Sequence, residues 1–181
     1  MNGLIPYANL YHPGGGAVTQ ALSTTMAALN LSALGVLDGL YTAGDVSVRP
    51  DKANNRMLVA APGIYESLLR LNFTSDGAQI IVAQLRKGAA NAGVLVGTKG
   101  QRVVTAAAGQ DLVVPSVFQI TAADLTAALA QDNFPATSAA GFGGASGATK
   151  SSIAVDVGVA SVAGTPTITL VEFSWTLKRI G

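Results

Sequence analysis

The sequence contains no cysteine, and this absence removes several kinds of chemistry at once. None of its 181 residues is a cysteine, so disulfide scaffolds, thiolate metal sites and cysteine nucleophiles are excluded. A domain of this length can bury a core without such crosslinks. The absence also fits a protein that is assembled in a reducing cytoplasm.

Charged residues are scarce as well. They make up 12% of the chain, whereas hydrophobic residues make up 49%; a typical soluble domain has about a quarter charged residues. The net charge is +1 and no basic cluster, Lys178–Arg179 included, is longer than two residues, so the clustered cations of a nucleic-acid interface are missing. Large exposed apolar patches mark contact sites. The composition therefore predicts a subunit that is partly covered by copies of itself or by another protein surface.

Long apolar runs are also missing. No stretch approaches the roughly 18 consecutive apolar residues that span a bilayer. The N-terminus has no basic segment followed by an apolar core, so we expect neither membrane insertion nor a secretory signal.

The residues that could carry catalysis or bind metal do not form a recognisable site. His12 is the only histidine, and it lies between Tyr11 and Pro13 in a segment that we expect to be a flexible, exposed loop. Glu66 and Glu172 could meet across a sheet, but a carboxylate-pair enzyme needs a cleft between them, usually lined by aromatic residues. We therefore expect no catalytic residue, no metal site and no cofactor.

Two Gly- or Asn-rich stretches are the nearest approach to ligand-binding motifs. The stretch 51–55 does not match the spacing of oxygen ligands in a calcium loop and is better explained as a solvated turn. Gly14–Gly16 lacks the Lys and Ser/Thr of a phosphate-binding loop, and we interpret it as a linker.

The chain divides into two parts by pattern. Residues 1–44 are nearly uncharged, with Pro6 and Pro13 as breakers, and are expected to form an N-terminal arm. Within them Val18, Leu22, Met26 and Leu29 recur at spacings of three to four, which predicts a short helix. That helix could pack on the domain's own core or dock on a neighbour.

Residues 45–181 show the alternation and turns of a β domain. From 64 to 74 Tyr65 and Phe73 share one face with Leu69 and Leu71, and residues 75–77 form a turn. Residues 168–180 alternate so that Val171, Phe173, Trp175 and Leu177 share one face, which we expect to be the core face. The pattern of roughly eight strands predicts an all-β fold, a jelly-roll sandwich with an N-terminal arm and a short helix.

A second helical segment, of one or two turns over residues 125–130, is predicted after Thr121. Thr121 and Asp124 stand at the positions of a capping box, with Asp124 where Glu is usual. The Gly-, Ala- and Ser-rich stretch 136–149 is expected to be a long loop that needs a covering partner to become ordered.

Two stretches resemble a known family. Ala61-Pro62-Gly63-Ile64-Tyr65 opens an alternating strand, and the hairpin that follows ends in Leu85-Arg86-Lys87-Gly88; both features resemble trimeric jelly rolls of the tumour-necrosis-factor and complement globular-head type. Thr169 to Gly181 resembles the final core strand of that fold. The resemblance covers about residues 42–90 and 150–181. It implies a homotrimer and transfers no catalytic residue.

Versions of this fold with an arm, no cysteine and low charge resemble virion proteins of tailed bacteriophages. The resemblance implies a homotrimeric decoration (cement) protein, made in the host bacterial cytoplasm, that binds the major capsid protein on the outer capsid surface and stabilises it. The alternative is the receptor-binding tip of a tail or head fibre. We favour decoration because the loops are poor in anchoring aromatic residues and the chain, with its own Met1, has no repetitive shaft. We expect no nucleic-acid and no membrane partner.

The same expectations assign two groups of residues. The apolar side chains of the arm are expected to attach the trimer to the capsid: Leu4, Ile5, Tyr7, Leu10 and Tyr11. Four aromatic residues are expected in the trimer interface or the core: Tyr65, Phe73, Phe173 and Trp175.

Overall fold

The chain folds as two antiparallel β-sheets packed face to face, a jelly-roll sandwich, as the strand pattern predicted. A computed structural model describes residues 6–12, 16–31, 37–41, 47–51, 54–88, 93–126, 132–134 and 150–181. The strands are β1 (Tyr7–Tyr11), β2 (Val18–Ala21), β3 (Ala27–Ala28), β4 (Asp38–Tyr41), β5 (Val48–Asp51), β6 (Arg56–Val59), β7 (Gly63–Ser75), β8 (Gln79–Lys87), β9 (Val94–Val104), β10 (Gln110–Ile120), β11 (Asp132–Phe134), β12 (Lys150–Ser161) and β13 (Thr167–Arg179). One helix, α1 (Ala122–Thr126), follows β10.

The strands belong to two sheets, one on each side of the core. The first sheet has the order β10-β7-β13-β1-β4, with β2 also paired to β13. The second has the order β5-β6-β12-β8-β9, with β3 and β11 paired to β12. Alternate residues of both sheets point inward and form one continuous apolar core. The outer face of the first sheet stays largely exposed, whereas the outer face of the second sheet is partly covered, since Val82, Arg86 and Ala154 are buried there.

The four aromatic residues assigned to the interface or the core lie in the core of a single chain. Tyr65, Phe73, Phe173 and Trp175 are each at most 2% exposed. Their polar atoms are satisfied internally, since the Trp175 indole N–H donates to Ser67 Oγ at 2.8 Å and the Tyr65 hydroxyl donates to a backbone carbonyl. Because they are buried within one chain, they are not available as surface anchors.

A β-bulge changes the alternation that the sequence predicts for the last strand. The pairing of β13 with β7 shifts between Leu170 and Glu172. Leu170 and Phe173 are both buried, whereas Val171 is 39% exposed. The prediction that Val171 shares the core face with Phe173 is therefore wrong, because the extra residue of a bulge reverses the phase of the pleat.

Residues 6–12, which were assigned to the arm, belong to the sandwich. β1 lies between β13 and β4, and Leu10 pairs with Trp175 on one side and Gly39 on the other. Leu10 is fully buried in the core. The assignment of Leu10 to capsid attachment is thus wrong, because its side chain fills the core of its own chain. Leu4 and Ile5 lie outside the described residues, as do Gly14 and Gly15.

The helix predicted within residues 17–29 is also wrong, because this stretch forms β2 and β3. β2 pairs with residues 167–170 of β13, and β3 pairs with β12. Val18, Leu22 and Leu29 are buried as the apolar spacing required, but they reach the core from extended backbone. The edge of β13 that pairs with β1 continues to residues 167–170, whose backbone groups pair with β2. Such tertiary pairing overrides a weak helical pattern.

The capping box of α1 is formed as predicted. The backbone N–H of Thr121 donates to Asp124 Oδ2 at 2.7 Å, and the N–H of Asp124 donates to Thr121 Oγ1 at 3.2 Å. Lys87 Nζ also contacts the Asp124 carboxylate at 2.8 Å, which ties the helix to β8. Residues 127–130 of the predicted helix and the 136–149 loop lie outside the described residues. In the described part of the chain, no helix is long and apolar enough to cross a membrane.

Asp124 makes the attachment of α1 sensitive to acid. Burial would raise the pKa of Asp124, but hydrogen bonds from Lys87 and Thr121 outweigh burial and hold it below its ordinary value of 3.8. The folded state therefore binds this proton less readily than the unfolded state, so the stabilisation is present at neutral pH and is lost as pH falls through the lowered pKa. We expect Asp124→Asn to lower the melting temperature at neutral pH, and the difference to vanish in acid.

Thermal melting as a function of pH checks this expectation, with Lys87→Gln as a second variant that removes the partner charge. A deficit of Asp124→Asn that stays constant down to the acid range would contradict a role for its charge.

The edge strands β9 and β10 close one side of the sandwich through a close backbone approach. Ser116 Oγ accepts a hydrogen bond from the backbone N–H of Thr98 at 3.1 Å. A Cβ placed on Gly100 would lie 2.3 Å from Cγ2 of Val114, whose side chain is buried. The contact requires glycine because there is no room for a side chain at this position.

We expect Gly100→Ala to destabilise the fold by about 1–3 kcal/mol, the usual cost of overpacking a filled core. Gly109→Ala is the matched control, because a Cβ there meets no atom within 4 Å. Urea unfolding of both variants measures the difference. Equal stability of the two variants would show that β9 and β10 are not packed as described.

Candidate functional site

The residues considered for catalysis are not brought together by the fold. The described residues hold no group of three or more His, Cys, Asp or Glu side chains arranged to bind a metal ion. His12 is only 9% exposed and its backbone N–H donates to the Phe173 carbonyl at 2.9 Å. The interpretation of His12 as an exposed loop residue is therefore wrong, because β1 carries it into the sheet.

The two carboxylates that could have met across a sheet lie far apart. Glu66 pairs with Lys178, whereas Glu172 pairs with Asn72. The offset of six positions between residues 172 and 178 of β13 separates the two carboxylates by on the order of 20 Å. This distance exceeds the separation of roughly 5–9 Å that a glycosidase pair requires, so these two residues do not form such a site.

The outer face of the first sheet carries a patch of exposed apolar side chains, which we call the apolar face. It consists of Leu68 on β7 and Val113, Pro115 and Val117 on β10. Leu68 lies opposite Pro115, and the two valines lie one pleat to either side. Leu68, Val113 and Val117 are 51–57% exposed. Adjacent apolar side chains on one face of a sheet are typical of a contact surface.

Polar groups bound the apolar face at both ends. At one end Asp111 accepts hydrogen bonds from Asn72 at 3.0 Å and from Arg70 at 3.4 Å. The hydrogen bond from Asn72 has the larger effect and Arg70 the smaller, and together they hold the pKa of Asp111 below its ordinary value. At the other end Lys178 Nζ lies 4.0 Å from Glu66 Oε2. The apolar face is thus framed by paired charges of both signs, the usual arrangement of an apolar centre with a polar rim.

A shallow depression of about 500 Å³ lies within this surface. Leu68, Pro115 and Val117 form its apolar side, and Thr176, Lys178 and Glu66 form its polar side. Such a depression can receive a side chain from another protein, because it offers apolar area beside groups that form hydrogen bonds.

Two of the edge strands contain a proline. β10 ends the first sheet and contains Pro115, and β5 ends the second sheet and contains Pro50. A proline has no backbone N–H and therefore interrupts pairing with a further strand. Contacts with other chains at β10 are consequently expected through side chains of the face rather than through continuation of the sheet.

Sequence reasoning missed the apolar face and assigned other residues instead. Tyr7 remains exposed on β1, and Tyr11 is partly exposed, so their predicted role in capsid attachment stays a prediction. The signal for the apolar face was present in residues 112–120, where apolar residues occur on both sides of the alternation. A strand that is apolar on both faces is covered on both.

Comparisons with known proteins show the fold and do not assign a family. No protein-family model and no curated protein matches the sequence. Among solved structures, Eiger, a tumour necrosis factor from S. frugiperda, has a TM-score of 0.53 at 10% identity, with 97% of this chain and 94% of that chain covered. The globular domain of zebrafish complement 1qA protein has a TM-score of 0.47 at 11% identity, with 98% and 97% covered. The likeness to Eiger supports the jelly-roll fold that the sequence predicted.

Proposed function

We propose that the chain is a non-catalytic structural protein that assembles into a homotrimer and decorates the outer surface of a tailed-bacteriophage capsid. The observation that carries self-association is the apolar face, where Leu68, Val113 and Val117 expose more than half of their side-chain area. The capsid role is supported by the low charge of the chain and by the sequence resemblance described above. In this proposal the major capsid protein is the partner, and the trimer acts by burying apolar area at junctions between capsid subunits.

A trimer requires two different contact surfaces on each copy. A closed ring of three copies uses a heterologous contact, in which the apolar face of one copy meets a different surface of the next. A stable contact buries on the order of 1,000 Å² or more. Truncating or charging the centre of such a contact costs far more than changing its rim, so the apolar face can be tested by single substitutions.

We expect Val117→Asp to dissociate the trimer, because a carboxylate at the centre of the interface would be buried without a partner. Val162→Asp is the matched control, since Val162 is similarly exposed at 51% but lies in the turn between β12 and β13. Light scattering coupled to size-exclusion chromatography gives the mass of each variant. A wild-type monomer, or a trimer unaffected by Val117→Asp, would refute assembly through the apolar face.

Capsid attachment is proposed for the start of the chain, ahead of β1. The backbone N–H of Arg179 donates to the Pro6 carbonyl at 2.9 Å, so the described pairing with β13 already includes residue 6. Removing residues 1–16 would delete β1 from the middle of the first sheet and unfold the domain. Changes confined to Leu4 and Ile5 keep all of β1 in the chain and are the better test.

We expect Leu4→Ser combined with Ile5→Ser to abolish binding to undecorated capsids while the trimer still forms. Apolar side chains contribute most of the proposed contact, so wild-type binding should also depend only weakly on salt. Cosedimentation with capsids measures occupancy, and Val162→Ser is the control for a comparable polar change elsewhere. Full occupancy by the double variant would move attachment to the β domain.

The second candidate function is the receptor-binding tip of a phage fibre. A surface pocket on the second sheet, described below, is the observation that favours it. Labelled trimer added to host cells and to undecorated capsids separates the two functions, because a decoration protein binds capsids and a receptor-binding tip binds cells.

A further inference from the structure

A polar pocket lies on the second sheet, on the opposite side of the core from the apolar face. It has a volume of about 310 Å³ and forms where β3, β6 and β12 meet. Asn30, Asn54, Asn55, Arg56 and Asp156 supply its polar lining, and Gly88 contributes backbone without a side chain. Its size lies at the lower end of the range for small-ligand sites.

Three polar side chains of the pocket, Asn54, Arg56 and Asp156, are held in place by hydrogen-bonded partners. Asp51 Oδ2 accepts hydrogen bonds from Asn54 Nδ2 at 2.9 Å and from Arg56 Nε at 2.8 Å. Asp156 is held by a two-point contact with Arg86, at 2.8 and 2.7 Å. Fixed donors and acceptors lose little freedom when a ligand binds, which favours recognition.

The charges of the pocket cancel in pairs. Arg56 is paired with Asp51, and Asp156 is paired with Arg86, whose side chain is only 5% exposed. A ligand with a net charge of either sign would therefore meet one favourable and one unfavourable group. A neutral ligand whose groups both donate and accept hydrogen bonds suits amide, guanidinium and carboxylate groups together.

We propose that this pocket binds one residue of a neutral carbohydrate. Sugar hydroxyls donate and accept at once, which matches the mixture of Asn amides, the Arg56 guanidinium and the Asp156 carboxylate. Ala28, Leu29 and Ala154 give the pocket an apolar part that can contact the ring carbons. No aromatic ring is among the described lining residues, so a single site should bind weakly, with a dissociation constant on the order of 1 mM.

The test uses two-dimensional NMR titrations of the full chain with glucose, galactose, mannose and N-acetylglucosamine. N-acetylneuraminic acid and inorganic phosphate serve as charged comparators. The proposal expects saturable shifts of the Asn54 and Asn55 side-chain amides with at least one neutral sugar. Asn55→Gly should weaken binding about tenfold, as expected for one lost hydrogen bond. Glycine fits this position because Asn55 has a φ of 57°.

The control variant is Gln101→Ala, which removes an exposed amide on β9 and should leave sugar binding unchanged. Absence of saturable shifts with every neutral sugar would overturn the proposal. Tighter binding of either charged comparator, or unchanged binding by Asn55→Gly, would also overturn it. Titration of Val117→Asp keeps the result independent of the trimer, because the pocket lies within one chain and should bind sugar in the monomer as well.

Discussion

The arrangement of the sandwich depends on the pairing of β13 along both of its edges. One edge pairs with β7 over nearly its whole length, and the other edge pairs first with β2 and then with β1. The bulge at Val171 lies between the segments paired to β2 and β1. Trp175 lies in the β1-paired segment, with its indole N–H bonded to Ser67 of β7. A buried hydrogen-bonded indole fixes strand register, because a shift by one residue would turn Trp175 to the outer face and a shift by two would separate its N–H from Ser67.

This central position of β13 explains which parts of the fold could be predicted from sequence. β7 and the second half of β13 alternate regularly, so their faces follow from local pattern alone. The capping box of α1 is likewise local, since Thr121 and Asp124 are three residues apart. The β-strands at the start of the chain are not local, because Val18 pairs with Leu170. Nothing within residues 17–29 encodes that partner, and the spacing of their apolar residues fits a helix equally well.

The candidate site was less predictable than the fold for a related reason. Leu68 alternates with Tyr65 and Leu69 of the core face and therefore lies on the outer face of β7, where it is 52% exposed. The apolar face depends on β10 lying beside β7, so that Pro115 is opposite Leu68. The sequence of a single strand gives only one row of the side chains that make up such a surface. Residues 7–11 were assigned to the arm because low charge and prolines indicate exposure, but that indication holds only where no strand is available, and here β13 and β4 pair with them.

The two surfaces lie on different sheets, and this separation limits how they can influence one another. The apolar face is on β7 and β10, whereas the polar pocket is bounded by β3, β6 and β12 on the other side of the core. Covering the first surface with a second copy leaves the second surface accessible. Three copies in one ring would then present three pockets, and linked weak sites bind a multivalent surface more tightly than one site alone. The proposed trimer contact and the proposed ligand site can therefore be occupied at the same time, since they lie on different sheets.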